Sequence, residues 1–242
     1  MTDCSKEIKV ITITFSNEIS AHEIPLFRGA IIARMQGEAH VLYHNHSDDT
    51  SYRYSYPLVQ YKRIGRKAAI VGIDDGATVM GQLLDSGING IYQLGARDIV
   101  MEVQSMVPTH TRMQVWNDTF HYTLRHWLPL NANNYRTYTS LTSLTERVQL
   151  LERILRGNLL SMCKGLGVFL DKELTASITS LEPPRIVRNK GVALMSFDLE
   201  FTSNLSIPNG LGLGKNASLG YGTVFAKRKE RTNKTNISTN NE

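Results

Sequence analysis

Apolar and polar residues alternate in part along Ile8-Lys-Val-Ile-Thr-Ile-Thr-Phe15, a β-branched stretch that predicts a strand. Ser20 and Glu23 then stand at capping-box spacing, and Pro25 suits a first helical turn. Ile24, Phe27, Ile31 and Met35 recur at the spacing of one helix face. A polar segment from about 36 to 55 follows. Pro57–Ile64 and Ala68–Ile73 read as strands joined around Gly65, Asp74-Asp75 as the opening of a short helix through Leu84, and Asp98–Val107 as another strand. The order βαββαβ is the ferredoxin-like, RRM-like unit, whose sheet face can serve as a platform for RNA.

The second half repeats the plan loosely. Gln114–Trp116 and Phe120–Trp127 look extended, with Asn117-Asp118 interrupting them. Ser143-Leu-Thr-Glu146 is a capping box before Leu144, Val148, Leu151 and Leu155, so a helix is expected there. Arg185–Val187, Val192–Phe201 and Tyr221–Phe225 complete the strands. A glycine-rich loop precedes the last strand, where a second helix would otherwise stand. The expected architecture is therefore α+β with two tandem ferredoxin-like domains, over 1–108 and 109–228. A polar tail over 229–242 is expected to be disordered.

Charge adds less than the net +5 suggests, because the residues from Lys227 onward carry five basic and two acidic side chains. The body is nearly balanced, so nucleic-acid binding would need a local patch. Cys4 and Cys163 have no metal-ligand spacing and no neighbouring thiol. With no N-terminal apolar leader and no 18-residue apolar run, the expectation is a cytoplasmic protein with no membrane partner.

Three features carry candidate chemistry. The first is Gly210-Leu-Gly212-Leu-Gly214-Lys215, answered by Gly220-Tyr-Gly222: five glycines in thirteen residues. Such a loop can bring backbone N–H groups to an anion. A Walker A loop would need glycine at Asn209 and a hydroxyl at Asn216. The G-x-G-x-x-A match over Gly212–Ala217 does not leave room for the rest of a dinucleotide fold. The plainer reading is a glycine-rich hairpin with no ligand. If the loop binds RNA, Gly214→Val is expected to weaken binding while nearly preserving the melting temperature.

The second feature is His44-Asn-His46, with His40 just before it. In extended chain, residues i and i+2 share a face, so two imidazoles can converge on one target. They could act as base and acid in metal-free RNA cleavage, since histidine titrates near neutral pH. Alternatively, His44-x-His46-x-Asp48 is the start of an incomplete metallohydrolase signature. An exposed loop that happens to hold histidines is the plainer reading. The third feature is Tyr52–Lys67, with four tyrosines, five cations and no acid. Aromatics stack on unpaired bases and cations meet phosphate, which makes Arg53 and Arg63 candidate RNA contacts. A strand with packed tyrosines explains the same letters.

Taken together, the chain resembles the CRISPR-associated endoribonucleases of the RAMP superfamily that cut precursor repeat transcripts into guide RNAs, in a type I-B-like subtype. The resemblance rests on Ile24–Met35, His44-Asn-His46, Tyr56-Pro-Leu-Val-Gln-Tyr-Lys62, Gly72–Leu84, and Leu205-x-x-Pro208. It rests most specifically on Gly212-x-Gly214-Lys215 with Ser218-Leu-Gly220-Tyr-Gly222. It implies cleavage by the substrate 2′-hydroxyl, with no cofactor, leaving a 5′-hydroxyl and a 2′,3′-cyclic phosphate or 2′-phosphate. The histidine that such enzymes carry after their first helix matches His46 or His44, and Tyr52 or Tyr54 is the implied assisting residue. The residues themselves make His44 and His46 the candidate acid–base pair and Lys62 or a tyrosine the candidate stabiliser of the phosphorane. Gly212, Gly214, Lys215, Gly220 and Gly222 would contact RNA or brace its groove. CRISPR repeat RNA is the implied partner, and an effector complex and a second copy of the chain are further candidates. A non-catalytic RNA-binding subunit of such a complex is the competing reading, because related RAMP proteins share the fold and the loop without cutting.

Overall fold

A computed structural model describes residues 5–34, 56–85, 87–189 and 191–227. The first half holds β1 (Lys6–Glu18), a 3-10 turn (Ala21–Glu23), α1 (Ile24–Arg34), β2 (Val59–Ile64), β3 (Lys67–Ile73), α2 (Asp75–Asp85), β4 (Gly90–Leu94), β5 (Arg97–Met101) and β6 (Val103–Met113). Its antiparallel sheet runs β2-β3-β1-β6, the ferredoxin-like order, with β4 and β5 forming a separate hairpin. The expected helix start is in place: the Ser20 hydroxyl and backbone N–H both donate to Glu23 Oε2, at 2.6 and 2.8 Å. Those bonds, aided by Arg97, hold the Glu23 carboxyl down at about 2.

The second half holds β7 (Val115–Trp127), α3 (Ala132–Ser140), α4 (Leu144–Gly165), β8 (Ala176–Leu181), β9 (Arg185–Asn189), β10 (Val192–Leu205), a 3-10 turn (Ala217–Leu219) and β11 (Thr223–Ala226). Its sheet runs β11-β7-β10-β8, with β9 pairing the first part of β10. This is the same strand order again, with the glycine-rich loop and its 3-10 turn replacing the second helix. Both halves are ferredoxin-like and the fold is α+β, as expected from the sequence.

Several elements differ from the sequence reading. Asp98–Val107 spans two strands: β5 pairs with β4 in a hairpin turned at Gly95 (φ +67°), and β6 pairs with β1. Asn117-Asp118 does not break β7. It shows as a bulge, since Phe120 pairs with Ser203 and Val115 with Leu205, leaving four residues of β7 opposite Asn204 alone. Neither α3 nor β8 was expected. The last strand starts at Thr223, after Gly222 has turned the chain.

Strand alternation divides the first sheet between two cores. Ile13 and Phe15 on β1, with Ala68 and Ile70 on β3, pack with α1 residues such as Phe27 and Ile31. On the opposite face Ile8, Val10, Val71 and Ile73 join Met113 in a core shared with Leu151, Leu155 and Leu159 of α4 and Phe197, Leu199 and Phe201 of β10. The sheet face that a lone RNA-recognition module leaves open is thus partly covered by the second half. Lys6 Nζ pins this seam, donating to Asp74 Oδ2 and to Leu166 O at the end of α4, each at 2.7 Å. A cation there also meets the helix carbonyls and their dipole. No helix among the described residues is long and apolar enough to cross a membrane.

Candidate RNA-processing site

Strand β2 lies at the edge of its sheet, yet Val59, Gln60, Tyr61 and Lys62 are all buried. Val59 and Tyr61 face the helices, where Tyr61 meets Phe27 edge-on with ring centroids 5.8 Å apart. Gln60 and Lys62 face the other way, into the glycine-rich loop. Gly212 N–H donates to Gln60 Oε1 at 2.9 Å, and Lys62 Nζ donates to Thr223 Oγ1 at 3.2 Å. Just before the strand, the Tyr56 hydroxyl donates to Gly212 O at 3.0 Å. The loop of the second half therefore covers the edge strand of the first.

The glycines are spent on close packing. A Cβ at Gly222 (φ +63°) would lie 1.9 Å from Leu213 O. At Gly214 (φ +79°) it would lie 2.9 Å from both Asn158 Oδ1 and Trp127 Nε1, which hydrogen-bond each other at 3.0 Å. At Gly220 (φ +81°) it would meet Ile24 Cδ1 at 2.8 Å, across the seam. Many of the loop N–H groups are also engaged. Gly210 donates to Val224 O, Leu213 to Gly222 O, Lys215 to Leu128 O and Gly222 to His126 O. An anion cradle made from the N–H groups of Gly212 and Gly222 is thus not what this geometry offers. What faces outward is the exposed Lys215 side chain. Asn216, a residue the sequence reading passed over, sits in the left-handed region (φ +59°) with a buried Nδ2 that has no partner among the described residues. Only its αL-tolerant residue type, directly after the lysine, could have flagged it.

The other site residues divide sharply. His44, His46, Tyr52, Arg53 and Tyr54 lie outside the described residues. The described chain leaves off at Arg34, the end of α1, and resumes at Tyr56, which is tied to Gly212. Arg63 is exposed, with Nε donating to Ile19 O at 2.7 Å. Lys62 is only 1% exposed and has no carboxylate partner among the described residues, and burial pulls its ammonium down to about 7. Among the described residues no three His, Cys, Asp or Glu side chains are grouped as metal ligands, and His44, His46 and Asp48 lie outside them.

Lys62 makes a testable imbalance. An unfolded lysine titrates near 10.4, so between about pH 7 and that value the unfolded chain binds more protons than the folded one. Stability must then rise with pH across this window, and the penalty of the buried charge is full below it. Lys62→Met keeps the volume and removes the charge, so it is expected to raise the melting temperature at pH 6 by several degrees and much less at pH 9. Thermal melts at the two pH values check this. A variant that melts lower at pH 6 would mean that the ammonium stabilises the fold.

Comparison with known proteins places both halves in one group. Residues 6–112 match the family described as the Cas6b N-terminal domain, and residues 114–227 the Cas6b C-terminal domain. A crystal structure of Cas6b superposes with a TM-score of 0.81 at 27% identity, over 92% of this chain and all of that one. A second crystal structure, of the CRISPR RNA processing endoribonuclease Cas6b, gives 0.71 at 25% identity, over 92% of this chain and again all of the other. The uncharacterized protein MJ0978 of Methanocaldococcus jannaschii is 40% identical over 99 residues, which are 41% of this chain and 66% of that protein. The match thus spans just under two thirds of that relative's length.

Proposed function

Because the chain belongs to the Cas6b family of CRISPR RNA-processing endoribonucleases, we propose that it cleaves CRISPR precursor RNA within the repeats through the substrate's own 2′-hydroxyl, without a metal. One histidine of the His44/His46 pair takes the proton from that hydroxyl as its oxygen attacks phosphorus. The other protonates the departing 5′-oxygen. The products carry a 5′-hydroxyl and a 2′,3′-cyclic phosphate, or a 2′-phosphate after hydrolysis. Tyr52 or Tyr54 assists, and Lys62 or a tyrosine stabilises the charge that builds up on the phosphorane. The reaction belongs to the cytoplasm.

The observation that carries this reading is where the described residues next to the histidine- and tyrosine-rich stretch lie: α1 ends at Arg34, and the hydroxyl of Tyr56 holds the backbone of the glycine loop. The loop in turn covers Lys62 and exposes Lys215, a cation that RNA phosphate would meet. A lysine kept in the seam without a counter-charge is expensive for the fold, which is the usual mark of a group retained for function. In this reading Gly212 and Gly220 let the loop pack on the first half, and Lys215 meets the RNA.

The test is cleavage of repeat RNA in excess chelator, with a matched substrate carrying 2′-deoxy at the nucleotide 5′ to the cut. Wild-type protein is expected to cut the first at an undiminished rate. It should bind the second without cutting it. Cutting of the deoxy substrate, or loss of activity in chelator, would point instead to an activated water. Binding with no cleavage of either substrate would make the chain an RNA-binding subunit.

A further inference from the structure

The bulge at the start of β7 builds a second feature that cleavage chemistry does not use. Between Val115, paired with Leu205, and Phe120, paired with Ser203, the strand loops out through Trp116, Asn117, Asp118 and Thr119. Trp116 stays 38% exposed although its position is fixed. Its indole N–H donates to Ser206 Oγ at 2.9 Å, and the same hydroxyl donates to Arg112 O at 2.7 Å and accepts from Gln114 N–H at 3.2 Å. Phe120 meets the indole edge-to-face with centroids 6.5 Å apart. With the N–H engaged, the surface that remains exposed is aromatic carbon. It walls a cavity of about 330 Å³ whose rim is Gln114, Asn117, Asp118 and Lys172. Lys172 arrives from the α4–β8 connection and donates from Nζ to Asn117 Oδ1 at 2.8 Å.

We propose that this cavity binds one unpaired nucleobase of the RNA, stacked on Trp116 and read along its edge by the polar rim. The inference rests on the RNA-processing reading above. A flat aromatic wall is sequence-tolerant for stacking, because every base has a π-face. The rim sets two amides, a carboxylate and an ammonium around that wall, and a base edge presents donors and acceptors side by side in the same way. An apolar side chain of a protein partner would find little here. Among the described residues the one apolar lining residue beyond Trp116 is Val115, which is buried in the core. The bulge and the Ser206 hydroxyl fix the indole in advance, so stacking needs little ordering of the protein.

The place of the cavity says which part of the RNA it serves. The glycine loop meets the opposite end of β7, where Gly222 N–H donates to His126 O and Lys215 N–H to Leu128 O. Along the partner strand, where Val115 pairs with Leu205 and Trp127 with Phe197, about 3.3 Å per residue puts the two ends on the order of 25 Å apart. A base on Trp116 therefore belongs to a single-stranded flank, several nucleotides from the stretch at the glycine loop. It would tether that flank and so help set the register of the transcript.

Fluorescence tests this directly. The chain has two tryptophans, and Trp127 is fully buried. Wild-type emission is therefore expected to be quenched saturably by an adenylate pentaribonucleotide, and not by an abasic pentamer with the same phosphates. Trp116→Ala should lose about 5–150-fold in pentamer affinity, the equivalent of one stacked base, with an unchanged melting temperature. Trp116→Phe should keep most of it, and Lys172→Ala should bind more weakly than wild type. Wild-type emission unmoved by the pentamer, quenched equally by the abasic pentamer, or Trp116→Ala binding as tightly as wild type would each overturn the proposal. A protein-docking surface would give the first of these results. Repeat-RNA cleavage by the same wild-type preparation is scored separately. Its failure would overturn the RNA-processing reading, whereas the pentamer titration alone decides the cavity.

Discussion

His46→Ala is expected to lower single-turnover cleavage of repeat RNA by about 10²–10⁴-fold while changing RNA affinity little. That is the range for losing a positioned general acid or base, equivalent to about 3–5 kcal/mol of transition-state stabilisation. The reason is that 2′-hydroxyl attack needs two proton transfers, and the His44/His46 pair provides two groups that titrate near neutral pH. If both act, His44→Ala should be impaired to a comparable degree, and the double variant should fall far short of the product of the two losses, because residues acting as a unit are not additive. Single-turnover kinetics with excess enzyme measure this, alongside filter binding. Wild-type rates from both single variants and the double variant would remove the histidine pair from the mechanism.

The first half of the fold was legible because its signals are local and strong. A β-branched, partly alternating stretch marked β1, a short apolar run marked β3, and Ser20 with Glu23 marked the helix start that the hydrogen bonds reproduce. The elements that escaped notice are those whose burial is decided from outside. Helix α3 reads Ala-Asn-Asn-Tyr-Arg-Thr-Tyr-Thr-Ser and buries only Tyr138, so no apolar stripe announces it. Its start depends on Asn131, whose side chain accepts from Asn134 N–H at 2.8 Å. Strand β8 reads Ala-Ser-Ile-Thr-Ser-Leu and sits at a sheet edge with little buried beyond Ala176. At the site, the sequence marked the glycines as special without saying what they approach. Gly220 matters because Ile24 of the other half lies against it, and no local pattern contains that contact. Lys62 shows the same limit. Its neighbours in sequence suggest an exposed basic strand, and only the docked loop makes it a buried charge.

That docking also changes what loop substitutions should do. From sequence alone, Gly214→Val was expected to reduce RNA binding at a nearly constant melting temperature. With the Trp127–Asn158 hydrogen bond 2.9 Å from the new Cβ, it is now expected to destabilise the fold as well. The largest effect should come from Gly222→Val. Valine at φ +63° is strained, and its Cβ would fall 1.9 Å from Leu213 O, which is backbone and cannot swing aside. Relief requires the bond from Leu213 N–H to Gly222 O, which closes the loop on itself, and the bond from Gly222 N–H to His126 O, which holds it to the second sheet, to shift. A loss of at least about 3 kcal/mol follows from strain plus broken buried hydrogen bonds, or roughly 10 °C in melting temperature for a chain of this size. Gly210→Ala is the control: its φ of +84° is similar, but nothing lies within 4 Å of the added Cβ. Only backbone strain remains there, on the order of 1 kcal/mol. Thermal melts of the two variants separate packing from conformation. A Gly222→Val protein that melts with wild type would mean that the loop is not packed tightly on the second sheet, and would return it to the role of an open RNA-contacting turn.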